Sequence, residues 1–288
     1  LLSIPSAYSD LKPSKYILFT ALLGFAMGCS LTKNLEEGQY ALYNNEIKGV
    51  EKSDKEALYG LIEQEPNTRF LGSSIGVIIY RFGEKFYDST QVADKLRKDE
   101  AELAELKILL DSVPEDKKAS NRAEKLISKI EGQKKKLEYG NTIMRTGNPL
   151  AVLDSSKTKK TVDNLKGYLV NHGFFDAEVD FEIETKKKKA NVFYLVTEKN
   201  PYLLDSFYTR TENKEIIKLL KSTEDDSFIK VGENYNQDNI SSERTRIEDV
   251  LKNNGFYMFS KSYINYIAYK DTSTHTIKLE QVIQKPTF

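Results

Sequence analysis

Few side chains in this chain of 288 residues have both the type and the spacing for chemistry. There are two histidines, His172 and His275, and a single cysteine, Cys29. His172 falls at a helix end and His275 at a strand start beside Thr274 and Thr276. Isolated imidazoles in such places are structural or solvated. Carboxylates are plentiful and Asp225 adjoins Asp226, yet none has the spacing of a metal site or an acid–base couple. Glycine-rich phosphate loops are missing. A lone cysteine excludes an internal disulfide and a cysteine-rich metal centre. No enzyme is expected, and no metal or other cofactor.

Cys29 suggests covalent lipidation. Lys12 and Lys15 precede an apolar run from Tyr16 to Met27, followed by Gly28, Cys29 and Ser30. A basic segment, a short apolar segment and a small residue before the cut describe a secretory signal. The run is shorter than the roughly 20 apolar residues that span a bilayer. GFAMG before the cysteine resembles a bacterial lipobox, with cleavage before Cys29 and a diacylglyceryl group on its thiol; Ala26 replaces the usual leucine. An ordinary signal with an incidental cysteine is the alternative. By the lipoprotein rule, Ser30 fits outer-membrane sorting. The first methionine is Met27 and QKPTF ends the chain straight after a strand, so a fragment or a misplaced start, and a missing C-terminal continuation, are expected.

Forty-three basic residues balance forty-three acidic ones, so no global field attracts nucleic acid. The composition, 39% hydrophobic and 30% charged, is that of a globular protein, and the length suggests two domains.

The elements that would position any site are organised around LKGYLVNHGFF, Leu165 to Phe175. Leu165, Tyr168 and Leu169 recur at helical spacing, and Gly173 is the helix stop. Ala177, Val179, Phe181 and Ile183 then alternate with Asp176, Glu178, Asp180, Glu182 and Glu184 as a strand with one dry face. The pattern returns from Ile247 to Tyr257, IEDVLKNNGFY, with Gly255 as the stop. The chain thus contains a duplicated α/β unit.

Before the first copy, Tyr40 to Val50 reads as a strand and Ser53–Asp54 as an N-cap to KEALYGLIEQ. Ile75 to Phe82 is a short helix or a buried strand, which periodicity does not separate. From about Thr90 to Glu138, Glu, Lys, Leu and Ala dominate. Val92, Leu96, Leu103, Leu106, Leu110 and Val113 form a seam with Asp99 in one position; Ala123, Ile127, Ile130 and Leu137 continue it beyond Pro114. The spacing predicts a coiled-coil-like antiparallel hairpin turning near residue 116, because proline opposes one long helix. It is a docking arm or a solvated insertion. Thr158 or Thr161 caps the next helix, and Lys186 to Lys189 mark a hairpin turn.

The second copy starts with a strand from Tyr202 to Thr211, Leu204, Ser206 and Tyr208 facing one side and Phe207 the other. A helix led by Asn213 follows, then a turn at Gly232 and a helix capped by Asp238. Strands from Met258 to Tyr269 and His275 to Ile283 close the unit, the latter with a slip near Gln281 and Val282. The order strand, helix, helix, strand, strand predicts an α+β fold, a three-stranded sheet covered on one face by helices.

That order, with GENYN before the second helix and L-x-N-x-G and two aromatics at its end, resembles the POTRA domains of the BamA/TamA superfamily of outer-membrane assembly proteins, in particular a lipid-anchored branch. Gly232 and Tyr235 match the family's loop glycine and aromatic; Gly255 with Phe256, and Gly173 with Phe174, match its helix end. The resemblance implies tandem POTRA-like domains at 39–200, with the hairpin inserted at about 90–140, and at 201–288, after a signal at 1–28 and a tether at 29–38. It also implies a β-barrel beyond Phe288. The implied role is strand addition of client or partner segments to open edge strands. In the family the second strand is the open edge, which selects Val179, Phe181 and Ile183 in the first unit and Tyr263, Asn265 and Ile267 in the second. Gly173, Gly232 and Gly255 are then structural pivots. The implied partners are unfolded outer-membrane proteins and a periplasm-spanning subunit, with no nucleic acid, at the outer membrane, the domains in the periplasm. The alternative is a free surface lipoprotein that uses the hairpin as its docking arm.

Overall fold

The computed structural model describes residues 32–284. The signal segment, Cys29 and everything after Gln284 lie outside the described residues. The fold is α+β, with two three-stranded sheets and helices.

The first strand, β1 (Ala41–Lys48), is followed by a short helix α1 (Lys55–Tyr59). Asp54 caps α1 by accepting from the Glu56 and Ala57 N–H groups at 2.9 and 3.2 Å. The ambiguous apolar block is helical, α2 (Ile75–Glu84), with Val77 buried and Ile75, Phe82 and Phe86 exposed on and beyond it. It packs on α5 (Thr142–Thr146), and the Asn141 side chain ties the two by donating to the Gly83 carbonyl at 2.7 Å.

Between α2 and α5 stands the hairpin of α3 (Ser89–Ser112) and α4 (Lys117–Tyr139). Asp116 caps α4 through the Lys118 and Ala119 N–H groups. The buried row of α4 is Ala119, Ala123, Leu126, Ile130 and Gln133, not the row through Ile127 and Leu137, both of which are exposed. Both rows keep helical spacing; the buried one is the row whose Gln133 meets Asp99. Asp99 accepts from Gln133 at 2.6 Å and from Lys129 at 2.8 Å, so a buried carboxylate in the seam is fully engaged. Val113 lies beyond the end of α3 and is exposed rather than in the seam.

The next helix, α6 (Ser155–Asn171), is capped by Asp154 and not by Thr158 or Thr161, which are buried within it. The chain enters from residues bonded to β1 and the residue before it, the Leu42 N–H donating to the Ala151 carbonyl at 2.7 Å and the Leu153 N–H to the Tyr40 carbonyl at 2.8 Å, and this entry sets the cap. Strands β2 (Glu178–Lys186) and β3 (Lys189–Thr197) follow. Their turn residues, Lys187 and Lys188, have φ of 49° and 59°, the pair of left-handed residues that a type I′ turn requires. The sheet order is β1-β3-β2.

The second sheet has β4 (Leu203–Arg210), β5 (Ile264–Asp271) and β6 (Thr276–Ile283) in the order β4-β6-β5. β4 runs parallel and β5 antiparallel to β6. A register shift between Leu204 and Ser206 reverses the expected faces: Phe207 packs inward and Tyr208 is exposed. No slip exists in β6, whose pairing with β5 is continuous. Gln281 simply occupies an inward position, 1% exposed. Helices α7 (Lys214–Ser222) and α8 (Gln237–Asn253) cover this sheet. Asn213 caps α7; Asn236, not Asp238, caps α8, accepting from the Asp238 N–H at 2.7 Å. Ile216, Leu220, Ile247 and Leu251 pack on Ile264 and Ile283, and Ile240 packs on Leu204, Ile277 and Leu279.

Contacts divide the chain into two compact units. Among the described residues, one holds 32–44, 65–153 and 185–190; the other holds 45–64, 154–184 and 191–284.

Candidate functional site

The strand order makes β2 an edge of the first sheet and β5 an edge of the second. On β2, Val179, Phe181 and Ile183 are half-buried, and Glu178, Asp180, Glu182 and Glu184 are exposed. Such a charged face discourages edge-to-edge aggregation. The Asp180 carboxylate also accepts from the Phe181 N–H at 2.8 Å, engaging one main-chain donor locally. Glu178 pairs with Lys199, whose hydrogen bond holds its carboxyl below the usual range.

Strand β5 begins at Ile264, later than the expected Met258, because Lys261–Tyr263 form a 3-10 turn capped by Ser260. Tyr263 therefore precedes the strand. It packs against the helix-covered core and meets Phe259 edge-on, ring centres 5.7 Å apart. Asn265 and Ile267 lie on the exposed face, whereas Ile264 is buried. Beside them Glu280 of β6 accepts from Arg210 of β4 and from the Tyr269 hydroxyl of β5, the latter at 2.9 Å. Arg210 first, then Tyr269, holds the Glu280 carboxyl below its ordinary range. One carboxylate thus pins all three strands on the outer face.

The glycine pivots differ in kind. Gly173 has φ +90°, and a Cβ there would meet the Tyr235 and Tyr202 carbonyl oxygens at 3.0 and 3.2 Å. Its own carbonyl accepts from the Tyr202 N–H at 2.9 Å, and Tyr202 accepts from the Tyr235 N–H at 2.9 Å. Gly255 has φ +98° with open space beside it. Gly232 donates its N–H to the Leu204 carbonyl at 2.7 Å.

Around Gly173 lies a cluster that spacing did not disclose. Asp176 accepts from the Tyr202 hydroxyl at 2.8 Å and from Lys270 at 3.0 Å. Lys270, then Tyr202, lowers its pKa. Phe175 packs edge-on against Tyr202 and tilted against Tyr235. This cluster ties the segment between α6 and β2 to the residue that leads into β4. A second hidden carboxylate, Glu198, is 5% exposed and accepts from the Glu51, Lys52 and Ser53 N–H groups at 3.0, 2.7 and 2.9 Å. Burial pushes its pKa up, but the Ser53 hydroxyl and these amides outweigh it and bring it down.

His172 stacks on Tyr168 and contacts its carbonyl at 2.8 Å; His275 lies against the Tyr202 ring, centres 5.1 Å apart. Among the described residues no three potential metal ligands converge, and no helix is long and apolar enough to cross a membrane.

No family model matches the chain, and no curated protein is similar to it. Among solved structures, the chain is similar to POTRA domains 3–5 of Haemophilus influenzae BamA at 13% identity and a TM-score of 0.37. That similarity covers 87% of this chain and 69% of that one. It is also similar to POTRA domains 1–3 of Omp85 from Anabaena at 13% identity and a TM-score of 0.24, over 48% of this chain and 54% of that one.

Proposed function

We propose that the two sheets capture extended segments of other proteins by strand addition at β2 and β5. The observation that carries this reading is the repeated topology: in each sheet the strand after the long glycine-terminated helix ends on an edge. Strand addition uses main-chain hydrogen bonds and so tolerates many client sequences. The role is non-enzymatic.

In this reading the chain is the periplasmic part of an outer-membrane protein assembly factor of BamA type, in the lipid-anchored form TamL. Cys29 tethers it to the outer membrane, and its partners are unfolded outer-membrane proteins and a periplasm-spanning subunit. The test is site-specific photo-crosslinking in cells from Val179 on β2 and Ile267 on β5. Adducts with nascent outer-membrane proteins or a partner subunit support the reading; absence of adducts from both sites refutes it.

A second reading rests on the hairpin tip, where Ile108, Leu109 and Val113 are exposed. There the hairpin is a docking arm of a free lipoprotein. Deleting the hairpin then abolishes function while proline substitutions along β2 and β5 leave it intact.

A further inference from the structure

Beside the outer strand β4, on the opposite edge from β5, lies a cavity of about 600 Å³. That is within the 300–1,000 Å³ range of small-ligand sites. Phe207, Ile217 and Ile229 give it apolar walls, and Gln281 and Thr209 are part of its lining. Gln281 is 1% exposed. One half of its amide is engaged by the Thr209 hydroxyl at 3.0 Å, and the other has no partner among the described residues. The ion pair of Glu243 and Arg246 also lines the cavity but is spent: Glu243 accepts from Arg246 and from the Phe228 N–H at 3.0 Å. Among the buried groups of the lining the ion pair leaves no net charge, and the second half of the Gln281 amide is unspent.

The strand next to it is half covered. Residues Gly232 to Tyr235 bond to Tyr202 and Leu204, with the Leu204 N–H donating to Glu233 at 2.8 Å. From Ser206 to Arg210, no main-chain hydrogen bond from outside the sheet reaches β4 among the described residues.

We propose that this cavity seats a tyrosine side chain of an extended polypeptide that lies along β4 from Ser206 to Arg210. A phenol ring fills the apolar walls. Its hydroxyl both donates and accepts, so it satisfies Gln281 whichever half of the amide faces Thr209. A charged side chain that reaches the buried end finds only a spent ion pair and loses its hydration; the other charges of the lining, Lys221, Glu224, Asp225 and Lys230, are on exposed residues. A serine or threonine leaves the walls unfilled. The proposal extends the strand-capture reading to a further edge and gives it a side-chain preference.

The whole chain is titrated with short blocked peptides, Thr-Val-Xaa-Val-Thr, labelled for fluorescence anisotropy, with tyrosine, phenylalanine or lysine at the centre. The tyrosine peptide is expected to bind about 3- to 10-fold more tightly than the phenylalanine peptide, the worth of one hydrogen bond, and the lysine peptide more weakly than either. Gln281→Leu removes the preference but keeps phenylalanine binding; Ile217→Trp fills the cavity and abolishes both. Equal binding of the tyrosine and phenylalanine peptides overturns the proposal, as does no binding by the parent chain or binding indifferent to Ile217→Trp. If N-acetyltyrosinamide alone binds as tightly as the peptide, the cavity takes free phenols and the polypeptide assignment falls. Crosslinks from β2 and β5 report on the strand-capture reading separately: their presence beside Gln281-independent peptide binding sinks this inference alone, and their absence beside Gln281-dependent binding sinks that reading alone.

Discussion

Gly173→Ala and Gly255→Ala separate a helix stop from a packed joint. Both glycines end a long helix with positive φ, +90° and +98°, where an L-residue costs about 1–2 kcal/mol. At Gly255 a Cβ meets open space, so that conformational cost is the whole effect. At Gly173 the same atom presses on two carbonyls at 3.0 and 3.2 Å, and neither is the end of a flexible side chain. Forcing a methyl into such packing adds about 1–3 kcal/mol. The expected loss is thus about 2–5 kcal/mol for Gly173→Ala and about 1–2 kcal/mol for Gly255→Ala. Urea unfolding followed by circular dichroism gives the two values. Amide exchange gives the mechanism: the Tyr202 and Tyr235 N–H groups, which bond through Gly173 and Tyr202, lose protection in the first variant and keep it in the second. Equal losses, or unchanged protection in Gly173→Ala, refute the idea that Gly173 is a joint as well as a stop.

Glu198 has a folded pKa below its ordinary value, so its stabilising effect is present above the unfolded pKa and fades as pH falls through the folded one. Glu198→Gln is expected to be less stable at pH 7 and to show a flatter acid limb, read from thermal melts between pH 3 and pH 7. Asp99→Ala strips the partner from Lys129 and Gln133 and should lower the hairpin's stability, whereas Asp99→Leu, which restores an apolar seam, should lower it less; helical ellipticity on heating compares them. Replacing residues 89–139 with a short Gly-Ser link should leave amide protection in β3 and α6 unchanged, because Asn141 and Gly83 already hold α2 and α5 together. Loss of that protection shows the hairpin to be part of the core.

Helix ends, hairpins and the strand–helix–helix–strand–strand order of the second sheet were legible because each rests on local chemistry: Asp54 and Asn213 as caps, lysines in a tight turn, alternation along β2. Where several capping residues stand close together, the choice depends on how the chain arrives. Asp154 wins over Thr158 because Leu153 is bonded to Tyr40, the residue before β1, and Asn236 wins over Asp238 because it precedes the helix. The shift at Asp205 moves Phe207 inward, a tertiary fact without a local mark. Gln281 resembled a break in alternation, yet it was the one sign of the polar cavity floor. Strand order has no signature in spacing, so the edges came from resemblance and acquired a physical basis only with the pairing. The Asp176 cluster joins Tyr202 and Lys270, which are far from it in sequence, and no periodicity could reveal it.

The position of β1 has a kinetic consequence. Its central neighbour is β3, and the Ala41 N–H donates to Lys188, about 150 residues later in synthesis. At about 5–20 residues per second, the first strand waits roughly 7–30 s for its partner. The helical hairpin between them folds from local contacts on the microsecond scale. A nascent chain therefore carries a finished helical arm and an unmatched strand with buried-type residues Ala41, Leu42 and Ile47. A chain truncated before residue 189 never matches it. The chain thus begins its existence with an unpaired strand, and holding it soluble during that interval is a demand that its topology places on its own biogenesis.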